Sequence, residues 1–144
     1  MIHRFDLLGC VSWGDFILHS GEKSNWICDL LIIRHKFNEI VNVMDIKHPL
    51  IGIELGGALL ALTYSLKAGI IRKNGELYLP PYELGGRVTL IDDVVTTENS
   101  FREAESIVNK HYLNVSQRIV VLDRRKNKTL DIESLFTSQD LDLE

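Results

Sequence analysis

The spacing of apolar residues changes along the chain, and each change marks an element. Phe16-Ile17-Leu18-His19 reads as a strand, which Ser20-Gly21-Glu22-Lys23 turns into a second strand over 25–30. From Ile33, the residues Phe37, Ile40, Val41 and Met44 recur at helical spacing, so the period predicts an amphipathic helix to about Met44. His48-Pro49 breaks the pattern, because the residue before a proline avoids the helical region. A short apolar strand follows, Leu50-Ile51-Gly52-Ile53. The turn Glu54-Leu55-Gly56-Gly57 then leads into an apolar helix over 58–68. Next, Ile70-Ile71-Arg72-Lys73 and Glu76-Leu77-Tyr78-Leu79 flank Asn74-Gly75. That pattern predicts a hairpin with a two-residue type I′ turn, positive in φ at both central residues. Pro80-Pro81 ends the ribbon.

In the second half, the run Val88-Thr89-Leu90-Ile91 predicts a buried strand ending in two adjacent acids, Asp92 and Asp93. Phe101, Ala104, Ile107 and Val108 mark one face of a helix ending near His111. A buried strand over 118–122 closes in charge at Asp123-Arg124-Arg125, and a last strand over 132–136 precedes a short acidic tail. Strands alternating with helices imply one α/β domain, doubly wound, with a mostly parallel central sheet. Such sheets bind ligands beyond the carboxyl ends of their strands, where the strand order reverses. Glu54 to Gly57, Asp92 to Ser100 and Asp123 to Arg125 all fall on that edge.

Composition narrows the class. A chain of 144 residues, 45% hydrophobic and 25% charged, suits one globular domain with a substantial core. A net charge of −4 argues against nucleic acid or an anionic membrane as the main partner. Cys10 and Cys28 lack zinc or disulfide-framework spacing, and the five histidines form no metal-binding pair. No apolar run is long enough to span a bilayer, and the amino terminus lacks a secretory signal, so a cytoplasmic location is expected.

The chemistry gathers at Asp92-Asp93-Val94-Val95-Thr96-Thr97-Glu98-Asn99-Ser100. Hydroxyls between a strand and a helix N-terminus make a phosphate cradle. Acids beside it suit sugar hydroxyls or Mg²⁺, which prefers carboxylate and phosphate oxygens. Two other arrangements share these features: a helix merely capped by Thr96 or Ser100 with solvated acids, and a receiver domain, which draws its acids from more than one strand.

The same stretch closely resembles the phosphoribosyl pyrophosphate (PRPP) motif of type I phosphoribosyltransferases. Further segments are similar to the orotate phosphoribosyltransferases within that group. They are Gly14-Asp15-Phe16-Ile17-Leu18-His19-Ser20-Gly21-Glu22-Lys23-Ser24, Gly52-Ile53-Glu54-Leu55-Gly56-Gly57-Ala58, Leu122-Asp123-Arg124 and Glu133-Ser134-Leu135-Phe136-Thr137. The resemblance implies a hood of strands over 1–30, a core over 31–144 with the PRPP motif at 88–100, and a homodimer. It implies transfer of phosphoribosyl from PRPP to orotate, or to another nucleobase, giving orotidine 5′-monophosphate and pyrophosphate in pyrimidine biosynthesis, with Mg²⁺.

By resemblance, Asp92 and Asp93 contact the ribose hydroxyls and possible Mg²⁺. Thr96, Thr97, Glu98, Asn99 and Ser100 surround the 5′-phosphate. Glu54, Leu55, Gly56 and Gly57 hold pyrophosphate by backbone, and Arg72 and Lys73 neutralise its charge during catalysis. Arg124 pairs with the orotate carboxylate through its planar fork, and Trp26, Ile27 and His19 lie near the base.

Three departures set this chain apart. The mobile lid that follows Arg-Lys in the family is cut to the Asn74-Gly75 turn, without its later lysine and histidine. Glu98 and Asn99 stand where small residues or glycine are usual; a carboxylate there repels a phosphate unless it points away, and a loop needing positive φ disfavours glutamate. His19 stands where a substrate-contacting lysine is usual. The shortened lid leaves a second function class open: a binding-only descendant acting as a nucleotide sensor or subunit partner. Arg125, Lys126 and Lys128 read as a solvated turn whose charge adds positive potential beside Arg124. His35 and His111 read as surface residues.

Overall fold

The protein is described by a computed structural model covering residues 2–80 and 84–143. Two strands, β1 (Val11–Ile17) and β2 (Lys23–Cys28), form an antiparallel ribbon of their own. Six more form the main sheet: β3 (Leu50–Ile53), β4 (Gly69–Ile71), β5 (Leu77–Tyr78), β6 (Arg87–Val95), β7 (Asn114–Asp123) and β8 (Glu133–Thr137). Their order is β5-β4-β3-β6-β7-β8, and every neighbouring pair is parallel except β4 with β5. The chain builds outward from β3 through β4 to β5, then returns to β6 and builds the other way. The strand order therefore reverses between β3 and β6, the place where α/β sheets hold ligands.

Both faces of the sheet are covered. α2 (Phe37–Val43) and α3 (Gly56–Tyr64) bury Phe37, Ile40, Leu60 and Ala61 against Ile91, Ile119 and Val121. α4 (Asn99–Lys110) buries Phe101, Ala104 and Val108 against Ile51, Val88, Leu90 and Val120 on the opposite face. The split follows the two-residue period of a strand, which sends Leu90 and Ile91 to opposite sides. The doubly wound architecture is as the apolar pattern implied.

The element limits differ in instructive ways. The first strand runs Val11–Ile17, leaving Leu18 and His19 in the turn, and the second begins at Lys23 and ends at Cys28. The helix expected from Ile33 is two pieces. A 3₁₀ stretch, Leu30–Lys36, with Ile33 at φ −108° and ψ 27°, precedes α2. α1 (Arg4–Leu8) escaped the periodic reading because five residues bury only Leu7. α3 ends at Tyr64 rather than near 68, since Ser65 is extended. β7 starts at Asn114, four residues before the buried run, because its first turn of pairing is half exposed.

The hairpin loop has three residues, not two. Arg72 donates its N–H to Glu76 O at 2.8 Å, and Gly75 N–H donates to Arg72 O at 2.9 Å. Gly75 has φ +87°, while Asn74 is absent from the positive-φ residues. This is a turn closed by a glycine bulge, the usual three-residue hairpin, in place of the type I′ turn. Pro81, half of the expected stop, lies outside the described residues. Among the described residues no helix is long and apolar enough to cross a membrane.

Candidate active site

The site begins with close approach of backbone. The β3–α3 turn lies against the end of β6 so tightly that glycine is required at three places. A Cβ on Gly52 would strike the Gly57 backbone, and one on Gly57 would strike Ile91 O. One on Gly56 would overlap the Asp93 carboxylate. The turn expected to hold pyrophosphate and the acid pair are thereby pressed together, at the start of α3.

β6 continues through both acids to Val95, so they belong to the strand rather than lying beyond its tip. Pairing with β3 ends at Gly52–Ile91, whereas pairing with β7 continues to Val95–Asp123. The acids thus stand on a strand with one open edge, facing the glycine turn. Asp92 Oδ1 accepts the Asp93 N–H and Asp93 Oδ1 accepts the Val94 N–H, both at 2.8 Å. Desolvation, and then the neighbouring Asp93 charge, raise the Asp92 pKa well above the ordinary carboxylate value. Both acids are half-buried against the glycine turn rather than freely solvated, one of the plainer expectations.

The hydroxyl turn also departs from simple capping. Glu98 is the N-cap of α4, with no side-chain cap bond, and Ser100 lies inside the helix. Thr96 and Thr97 are half-buried, Asn99 and Ser100 exposed. No non-glycine residue of this turn has positive φ, so glutamate at position 98 strains nothing.

The Glu98 side chain turns away from the cradle and is buried, 8% exposed. It accepts from Arg125 Nη1 at 2.7 Å, Arg102 Nη2 at 2.9 Å, Thr129 N–H at 2.7 Å and Leu130 N–H at 2.9 Å, and also bonds Thr129 Oγ1. Burial alone would raise its pKa, but the Thr129, Leu130 and Arg125 hydrogen bonds hold it well below the usual range. Its carboxylate is thus no threat to a phosphate.

Arg125, expected in a solvated turn, is buried at 6% and grips Asp123 through Nε at 3.0 Å and Nη2 at 2.8 Å. This Asp123–Arg125–Glu98 chain ties the exit of β7 to the start of α4.

Arg124 points the other way, toward the hood. Its guanidinium lies 3.5 Å from the Trp26 ring centroid. It donates to Ser24 Oγ at 2.7 Å and to Trp26 O at 3.3 Å. Trp26 is 2% exposed, so it is a core residue that carries Arg124 rather than an open platform for a base. A cleft of about 710 Å³ opens between hood and core. Its walls include Phe16, Leu18, Ser24 and Trp26 from the hood, Thr96 from the cradle, and Arg124 and Lys126 beyond β7. Ile27 and His19 are not among its walls: Ile27 is half-buried elsewhere, and His19 sits exposed in the hood turn. Lys23, which lies in the amino-terminal segment but was given no role there, and Leu143 do line it.

On the far side, the hairpin brings Arg72 and Lys73 beside the glycine turn. Glu54 accepts the Lys73 N–H at 3.0 Å and pairs with Arg72 Nε at 3.4 Å. The Lys73 bond, chiefly, lowers the Glu54 pKa. Lys73 itself is exposed. Among the described residues no group of three or more His, Cys, Asp or Glu could enclose a metal ion. The Asp92–Asp93 pair remains a fitting donor set for a cation that takes most of its ligands from phosphate and water.

No family model matches the sequence. The orotate phosphoribosyltransferase of Pyrococcus abyssi is 32% identical over 146 residues, with 87% of this chain and 80% of that one covered. That span exceeds the 144-residue length of this chain, so the relative carries residues with no counterpart here. The crystal structure of orotate phosphoribosyltransferase from Aeropyrum pernix superposes with a TM-score of 0.76 at 23% identity, over 96% of this chain and 95% of that one. That of the Mycobacterium tuberculosis enzyme in complex with PRPP superposes with a TM-score of 0.67 at 21% identity, over 97% and 96%.

Proposed function

The chain belongs to the orotate phosphoribosyltransferase family, and we propose that it transfers phosphoribosyl from PRPP to orotate, yielding orotidine 5′-monophosphate and pyrophosphate in pyrimidine biosynthesis. The observation that carries this reading is the meeting of three features at the β3–β6 reversal: a glycine turn, an acid pair and a hydroxyl turn opening a helix. In the transfer, the ribose C1′–O bond to pyrophosphate breaks and a C1′–N bond to the base forms. The transition state is cationic at the ribose, so the protein's work is positioning and neutralising the leaving group rather than supplying a nucleophile.

Thr96, Thr97, Ser100 and the first N–H groups of α4 take the 5′-phosphate, where hydroxyls and the helix N-terminus favour an anion. Asp92 and Asp93 take the ribose hydroxyls. The backbone of residues 54–57 receives pyrophosphate, with Arg72 and Lys73 offsetting its charge. Asp92 and Asp93 are the residues that would hold Mg²⁺, which would supply further neutralisation of the leaving group. Arg124 faces the base, its guanidinium positioned by Trp26 and Ser24.

The relatives that match carry the enzyme's name, which favours catalysis over the binding-only alternative. A homodimer in the cytoplasm is the accompanying expectation. Calorimetric titration with PRPP and Mg²⁺ tests the site: wild type gives saturable heat, and Asp92→Asn with Asp93→Asn weakens binding by about 100-fold, as loss of two charge-assisted contacts requires. Equal affinity in both proteins would remove the acids from the site.

A further inference from the structure

We propose that Lys23 and Lys126 together hold the carboxylate of the acceptor base, and so set this chain's preference for a carboxylated pyrimidine. The inference rests on the transferase reading above and assigns the part of the cleft which that reading leaves incomplete. An acceptor such as orotate brings a negative charge into the hood cleft, and something must meet it. His19, which stands where related enzymes have a lysine, is exposed in the hood turn and is not a wall of the cleft. Arg124 is in the wall, but its fork is already engaged: one Nη donates to Ser24 Oγ and the other to Trp26 O, with the plane stacked on the indole. It lends charge and a flat surface, yet not an open bidentate grip.

Lys23 and Lys126 fill the gap from two sides. Lys23 opens β2 in the hood, and Lys126 follows Arg125 on the core, so the two reach the cleft from separate elements. Neither has a carboxylate within ion-pair distance among the described residues, in contrast to Lys128, which lies 3.6 Å from Asp123. The other charged walls are Asp15 and Glu22, so with Arg124 the cleft carries three cations against two acids. That surplus matches one monoanionic acceptor.

A phosphate of PRPP is the other anion that could meet these lysines, since Thr96 shares the cleft. Position favours the carboxylate, because Lys23 adjoins Ser24, which Arg124 bonds, and Lys126 lies two residues from Arg124. Thr97 and Ser100 of the cradle, by contrast, are not among the cleft walls. Long ammonium side chains also suit a planar ligand that must enter and leave.

Steady-state kinetics of the full chain decide the matter, with Lys23→Gln, Lys126→Gln, the double variant and Lys126→Arg. Orotate, PRPP and uracil, an acceptor without the carboxylate, are each varied. The double variant should raise KM for orotate about 10-fold or more, while KM for PRPP and the kinetics with uracil stay within about twofold. Lys126→Arg should remain close to wild type. Unchanged KM for orotate in the double variant overturns the proposal, and so does a rise confined to PRPP, which would place the lysines on phosphate. Absence of orotate turnover in the wild type would overturn the transferase reading itself, and this assignment with it.

Discussion

Asp92 is the residue on which folding and function pull hardest against each other. Its carboxylate sits half-buried beside Asp93, with a pKa raised by desolvation and then by that neighbour. A carboxyl whose folded pKa exceeds its unfolded one stabilises the fold only at low pH, and that contribution is lost as pH rises through the folded value. Charging Asp92 as pH rises therefore burdens the fold. Asp92→Asn keeps the shape and removes the burden, so its melting temperature at pH 7 should rise by about 2–4 °C while PRPP binding falls. Thermal unfolding of the two proteins at pH 5 and pH 7 checks the sign, and a variant less stable than wild type at pH 7 would refute this account. Asp92 and Asp93 were legible in the sequence because adjacent acids closing an apolar run have few purely structural uses. Glu98 was misread as a hazard, since sequence alone cannot show which way a side chain leaves a turn. Its five partners come from Arg102, Arg125, Thr129 and Leu130, the last three around 30 residues away in the chain.

The same carboxylate acts at the scale of elements, because it joins two of them. Through Arg125 and Asp123 it fastens the start of α4, and with it the hydroxyl turn, to the loop after β7 that presents Arg124. Breaking one partner of a buried pair leaves a charge uncompensated, a cost of about 3–5 kcal/mol. The pH dependence gives the sharper test. Glu98 and Asp123 both have lowered folded pKa values, so each adds stability above its unfolded pKa that is lost as pH falls toward the folded one. Denaturant unfolding between about pH 3 and 7 should show wild type losing stability below about pH 4.5, and Glu98→Gln losing less over that window from a lower plateau. Identical slopes would mean that Glu98 is not held ionised by this network. Most elements could be read from period alone, because α4 and the buried strands keep one clear pattern. The hood ribbon, the 3₁₀ break at Ile33 and α1 could not, since short pieces are fixed by what they touch. Leu7, for example, is buried in a cluster that includes distant residues such as Trp26, Phe37 and Leu141.

At the scale of the whole molecule, the reversal of strand order between β3 and β6 gathers residues from opposite ends of the sequence. Glycine turn, acid pair, hydroxyl turn and hairpin cations all meet there, and the hood closes the remaining side with a cleft of about 710 Å³. The hairpin that carries Arg72 and Lys73 turns in three residues, where the family resemblance implies a longer lid, and Lys73 is the lysine we propose for the leaving group. A shortened lid excludes less water and should slow turnover without abolishing it. The most direct test is the formation of orotidine 5′-monophosphate and pyrophosphate from PRPP, orotate and Mg²⁺ by wild type and by Lys73→Ala. Equal amounts of the two products from wild type, falling about 100-fold or more in rate in Lys73→Ala, are the predicted result. Tight binding of PRPP with no product from wild type would contradict it.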